Sequence, residues 1–200
     1  MLKSSKFIKG ISSSLIVLII MFVVVGCGAK KKSANATNTA NNPLYGQKIT
    51  FKEAGDDHHL SLSEDSRVRI AAKATLFTMK KQGPKLKITK FMEKHLEQYV
   101  KYRKGDYMDN KKMEDKISKL ENEAAQQPDD KKNVIYINDY YEKMLSSDDN
   151  VISNTYAKEG KNVTIRIPYD EYEARKHGVF EKAFKYAPRK VKVRMTSDDE

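Results

Sequence analysis

Residues 63–83, SEDSRVRIAAKATLFTMKKQG, decide what kind of domain this chain can build. Val68 and Ile70 alternate with arginines, which taken alone is a strand pattern. Three alanines then follow at 71, 72 and 74, and the ends carry helix punctuation: Ser63 or Ser66 as cap, Glu64 and Asp65 in the first turn, Lys80 and Lys81 in the last, Gly83-Pro84 as a stop. Acids at the start and bases at the end both complement the helix dipole, and alanine loses least in helix formation, so the segment reads as a helix.

Working outward from it, QKITFKE (47–53) alternates Ile49 and Phe51 with polar neighbours, and HHLSLS (58–63) alternates through Leu60 and Leu62. Each suggests a short half-buried strand, with AGDD (54–57) as the turn between them. Downstream, Thr89 to Lys104 places Phe91, Met92, Leu96, Tyr99 and Val100 at helical spacing and ends at Gly105. Asp109 to Gln127 carries Met113, Ile117, Leu120 and Ala124 as a narrow stripe, expected to pack on the domain's own core. QQPDDKKN reads as a turn, Asn133 to Ile137 as a strand and NDYYEKMLSS (138–147) as a short helix. VISNTYAKEGKNVTIRIP (151–168) suggests a β-hairpin turning at Glu159-Gly160. YDEYEARKHGVFEKAFKYAP (169–188) suggests a helix interrupted at Gly178, and RKVKVRM (189–195) a closing strand. Strands at both ends and a helical middle predict a small, mixed, single α+β domain over 44–200.

Charge narrows the partners. The formal charge of +11 includes Lys3, Lys6, Lys9, Lys30, Lys31 and Lys32, all N-terminal, which leaves the region from Leu44 onward at +5. There 32 basic and 27 acidic residues are interspersed, and lysine outnumbers arginine 31 to 7 over the chain. Mixed signs and few arginines argue against nucleic acid as a partner, since base and phosphate recognition leans on the arginine fork. Anionic lipid or an anionic wall polymer fits a mildly basic surface better.

The N-terminus is of another kind. Residues 1–10 hold three lysines and no acid, and Leu15 to Val25 is an unbroken run of 11 apolar residues. As a helix that run covers about half of a hydrocarbon core of about 30 Å, so it suits an export signal and not a lasting span. Val24-Val25-Gly26-Cys27 follows, then GAKKKSANATNTANNP. This arrangement resembles the lipobox signal peptide of bacterial membrane lipoproteins. The resemblance implies cleavage between Gly26 and Cys27, removal of 1–26, and a thioether-linked diacylglycerol (palmitate-type chains) on Cys27. Membrane attachment through that lipid, on the extracytoplasmic face of a Gram-positive cell, is the expected localisation. Two acyl chains hold firmly where one holds only marginally. Cys27 is the sole cysteine, so once lipidated it leaves the domain without a disulfide, a thiolate nucleophile or a cysteine metal site. Residues 28–43 hold no aromatic or large aliphatic side chain and read as a flexible tether.

Chemistry-bearing clusters are few. In Gly55-Asp56-Asp57-His58-His59, zinc-type ligands sit together, but alternate residues of an extended chain share a face, so locally only Asp57 with His59, or Asp56 with His58, could meet one metal. Lys101-Tyr102-Arg103-Lys104 is a basic run able to meet phosphate polymer, or simply to end a helix. Eleven tyrosines could line a ligand groove or fill core and rim. No nucleophile elbow, glycine-rich phosphate loop or His-Glu-x-x-His motif is present, and no cofactor or catalytic residue is expected. The expectation is a non-enzymatic binding or accessory module at the envelope, partnered by an envelope protein or wall polymer. Two competitors stand beside it: a hydrolase or metal-dependent enzyme built from dispersed acids and histidines, and a precursor whose cleaved signal peptide is itself a signal. The lipobox also resembles that of solute-binding lipoproteins, but about 157 residues after the tether are too few for their two lobes.

Overall fold

The computed structural model describes residues 39–82, 85–106, 110–127, 133–180 and 184–196. The signal segment, the cleavage site Gly26-Cys27, the tether as far as residue 38, the Gly83-Pro84 stop, Tyr107 and the turn at 128–132 lie outside them.

Glu64–Gln82 forms the helix α1 that the sequence announces. Ser63 caps it: its hydroxyl accepts from the Ser66 amide at 3.2 Å, while its carbonyl accepts from Arg67. Ten of its 19 residues are buried, among them Ile70, Ala71, Ala72 and Ala74 at 0% exposure, so it is a central helix with little free surface. Around it lie Lys87–Lys94 (α2), Leu96–Lys104 (α3), Lys111–Ala125 (α4), Val134–Leu145 (α5), Asp148–Val151 (α6) and Glu171–Lys176 (α7). α5 makes the most extensive packing on α1, and α3 follows. The stripe on α4 does face the core: Ile117 and Ala124 are buried and Met113 and Leu120 pack against the same cluster.

Two antiparallel two-stranded sheets close the fold. Phe51–Ala54 (β1) pairs with His59–Leu62 (β2) in the register Phe51 to Leu62. Asn162–Ile165 (β3) pairs with Arg189–Lys192 (β4), Val163 opposite Val191. One parallel bridge, Phe51 to Met195, and the hydrogen bond from the Phe51 amide to the Arg194 carbonyl (2.9 Å) join the N-terminal hairpin to the end of the chain. The result is a small mixed α+β domain with terminal strands.

Several expectations need correction. The helix from Thr89 to Lys104 is two helices, broken at His95 (φ −131°, ψ 42°); the apolar spacing runs straight through the break, so periodicity hides it. Asn133 to Ile137 is not a strand but the start of α5. The β-branched run suggested extension, yet Val134, Ile137, Tyr141 and Leu145 are all buried at steps of three and four, and the Asn133 side chain caps the helix from the Ile135 amide at 2.8 Å. The hairpin of 151–168 shrinks to one bridge, Ile152 to Ile165, because β3 takes β4 as its real partner and residues 148–151 turn into α6. Finally, the last two residues of the segment read as tether pack on the domain. Asn42 and Pro43 are buried, and the Asn42 carboxamide donates to the Ala187 carbonyl at 2.8 Å. The helix read over 169–188 is shorter as well: α7 ends at Lys176, Gly178 follows with a φ of 80° that favours glycine, and no α-helix resumes among the described residues beyond it.

Loss of the α5 cap and loss of α5 core volume should be separable. Asn133→Ala is expected to cost about 1 kcal/mol and Ile137→Ala about 2–5 kcal/mol in urea unfolding of the purified protein. Tyr172→Ala, at a position 74% exposed, should change stability by less than about 0.5 kcal/mol.

Candidate functional site

The first site the sequence suggests is formed in part. β1 and β2 bring Asp57 and His59 together across the turn, where the His59 Nδ1 lies 3.1 Å from an Asp57 oxygen. His58 adopts a left-handed conformation (φ 52°) and turns away to Glu53 (Nδ1 to Oε2, 3.0 Å). A third group comes from far along the chain: Asp148, the first residue of α6, approaches the other imidazole nitrogen of His59 at 3.4 Å. Tyr156 donates to the second Asp57 oxygen (3.3 Å), and Ser61 donates to Asp148 (3.0 Å). Spacing offers Asp57 with His59, or Asp56 with His58, and the fold takes the first pair; Asp148, in α6, and Tyr156, in the turn after it, carry no signal because they lie about 90 to 100 residues away in sequence.

This geometry is a carboxylate–imidazole–carboxylate clamp. The two acids address opposite nitrogens of one ring, so they suit a doubly protonated imidazolium, each N–H donating to one carboxylate. Among the described residues no group of three His, Cys, Asp or Glu side chains converges as a metal would require. The hydrogen bond to Asp57 holds the His59 pKa above its ordinary value, with Asp148 adding to it, and the same bond holds Asp57 below the usual carboxylate range. The clamp fastens the β1–β2 turn to α6. His95 and His177 take no part: one stacks on Phe91, with ring centroids 4.9 Å apart, and the other bonds the Glu173 carbonyl.

The second candidate, Lys101 to Lys104, is dispersed by the helix on which it lies. Lys101 is exposed, Tyr102 packs on the core margin, and Arg103 turns toward α5 to meet Asp139 (2.9 Å) and Glu142 (3.6 Å). Lys104 reaches a concave surface. That surface is a groove of about 860 Å³ between the β1 segment, the start of α1 and the end of α3. One wall is a chain of charges: Glu97 to Arg69 (3.9 Å), Arg69 to Asp65 (3.5 Å), Asp65 to Lys104 (3.5 Å) and Lys104 to Asp106 (3.1 Å). The acids Glu64, Asp65, Glu97 and Asp106 are matched by Lys48, Lys52, Arg69 and Lys104, so the lining is balanced in sign.

Hydroxyls anchor the groove's inner side. Thr50 and Ser63, both buried, lie 2.7 Å apart and share Ser66 of α1 as a third partner. The Gln47 carboxamide donates to Pro43, while its oxygen is buried with no hydrogen-bond partner among the described residues. A groove whose wall charges alternate in sign can take a polar segment of complementary pattern. Among the described residues the tyrosines form no such surface. Tyr99, Tyr140 and Tyr141 are core, and of the exposed ones Tyr136 stands on α5, Tyr172 on α7 and Tyr156 in the turn after α6.

The clamp makes stability depend on pH in a definite direction. Because the folded His59 pKa is raised, its contribution is complete below the ordinary imidazole pKa of about 6.5 and is lost as pH rises through the folded value. His59→Gln should therefore destabilise the protein more at about pH 5.5 than at about pH 8.5. Proton NMR titration of His59 should give a value above the ordinary one that falls in Asp57→Asn. An unshifted titration would remove the clamp.

The sequence matches no protein-family model, and neither curated proteins nor solved structures give a match.

Proposed function

We propose that this chain is a lipid-anchored surface lipoprotein whose α+β domain is a non-enzymatic binding or accessory module at the cell envelope. The order of basic segment, 11-residue apolar run, small residue and lone Cys27 supports the anchor, which would hold the protein on the extracytoplasmic face of the membrane. Among the described residues no helix is long and apolar enough to cross a membrane.

One observation supports the binding role: the open groove of about 860 Å³ with its lining of balanced charges. Its acids Asp65, Glu97 and Asp106 are each engaged by Arg69 or Lys104. Carboxylates so engaged serve as fixed recognition charges. An alternating-sign wall is suited to a polar stretch of an envelope protein and not to a uniformly anionic polymer, which half of its charges would repel.

Two measurements test this. Cys27→Ser should abolish labelling by radioactive palmitate and leave an uncleaved precursor; normal maturation of that variant would overturn the anchor. Cross-linking of the intact membrane-bound protein should recover one envelope protein, and the paired variant Arg69→Glu/Lys104→Glu should reduce that recovery at least tenfold while still maturing and anchoring normally. Undiminished recovery from the paired variant would exclude the groove.

A further inference from the structure

The β3–β4 sheet has two unlike faces. Val163, Ile165, Val191 and Val193 point inward and are buried, as period-two alternation requires. Outward, β4 presents Lys190 and Lys192, and Arg194 continues the same row one step beyond the strand. Their neighbours across the ladder carry no charge: Thr164 faces Lys190 and Asn162 faces Lys192.

Three successive cations on one face repel one another, and none has an acidic partner among the described residues. Over the two strands and their flanks, residues 158–166 and 189–196, seven basic residues stand against one acid, Glu159. This contrasts with the rest of the surface, where ion pairs join most helices to a neighbour, as Lys80 to Glu93, Lys87 to Glu123 and Lys143 to Glu173 do.

The position of the row matters as much as its sign. Near the start of the described residues, Asn42 donates to Ala187, and Arg189 donates to the Leu44 carbonyl while its guanidinium lies over the Tyr45 ring (5.0 Å). The N-terminal end of the domain is thus fastened to the residues that open β4. From Cys27 to Thr39 is a path of 12 residues, which spans at most about 43 Å even when fully extended.

We propose that the outward face of the β3–β4 sheet rests on the anionic phospholipid headgroups of the bilayer that holds the chain's own lipid anchor. This rests on Cys27 being that anchor. The occupant follows from charge complementarity and from reach: the anchor brings one anionic surface within range of the domain, and the strand fastened beside residues 42–44 carries the cations. Each lysine or arginine near such a surface contributes roughly fivefold to association, so three amount to about a hundredfold. The contact leaves the balanced groove to its protein partner.

The test uses the lipidated full chain in vesicles of phosphatidylcholine, alone or mixed with phosphatidylglycerol. A soluble amine-reactive reagent is applied and labelling is read by mass spectrometry, with exposed Lys119 of α4 as internal reference. Lys190, Lys192 and the adjacent Lys161 should label several-fold less in the anionic vesicles, and high salt should remove the difference. In the variant Lys190→Gln/Lys192→Gln/Arg194→Gln, whose melting should match the parent, Lys161 should label equally in both. Equal labelling of the parent in both vesicles overturns the docking while leaving the anchor standing. A chain that enters neither vesicle overturns the anchor reading and the docking with it. Protection in both vesicles that disappears when Asp198, Asp199 and Glu200 are neutralised would put the acidic terminus over the face, which also overturns the proposal.

Discussion

Burial of α1 is the constraint on which the other elements depend. A helix with apolar or small residues around most of its circumference cannot remain at a surface, so neighbours must cover several sides of it at once. In a domain without a disulfide this packing has to supply the stability. The alanines at 71, 72 and 74 let those neighbours approach closely, and α5 and α3 take the largest shares of the contact.

Covering α1 also fixes how its neighbours are aligned, because three hydroxyls are buried along it and each needs a partner. Ser66 bonds Thr50 and Ser63 and so ties the β1 segment to the first turn of the helix. Thr75 returns to the Ala71 carbonyl at 2.8 Å and also meets Asn138, while Thr78 meets the Tyr141 hydroxyl at 2.7 Å. The last two contacts lie one turn apart on both helices. Sliding α5 along α1 would strand both polar pairs in the core, so the polar contacts select one register where apolar packing would tolerate several. Apolar burial drives the docking, and the hydroxyls choose its position.

How far the sequence discloses this depends on the distance over which each decision is made. The ends of α1, the β1–β2 turn and the inward stripe of α4 are local and were legible in cap residues, alternation and spacing. α5 was cut in two because Val134-Ile135-Tyr136-Ile137 has strand propensity, and only its burial against α1 makes the helical phase pay off over the full 12 residues. The β3–β4 pairing was missed because it joins residues about 27 apart through α7, whereas the expected hairpin was the shorter closure. The site followed the same rule. Asp57 with His59 is a two-residue relation and was visible; Asp148 and the Glu97–Arg69–Asp65–Lys104 chain are relations between elements and were not.

Charge shows the limit of composition most directly. A domain at +5 with both signs interspersed along the sequence reads as an ordinary solvated surface. Folding sorts it into regions with different physical roles. In the groove, opposite charges lie within 4 Å of one another, so their far fields cancel and discrimination depends on close contact with a partner of matching pattern. On β4, alternation of valine with lysine or arginine places the valines in the core and collects the cations outside, so their fields add and reach about a Debye length into solution. The residues that build the hydrophobic side of the sheet therefore also determine its charge. A Val191 moved to the outer face by a one-residue slip would bury Lys190 and Lys192, which the core cannot accommodate, so the register that stabilises the sheet is the one that exposes the cationic row.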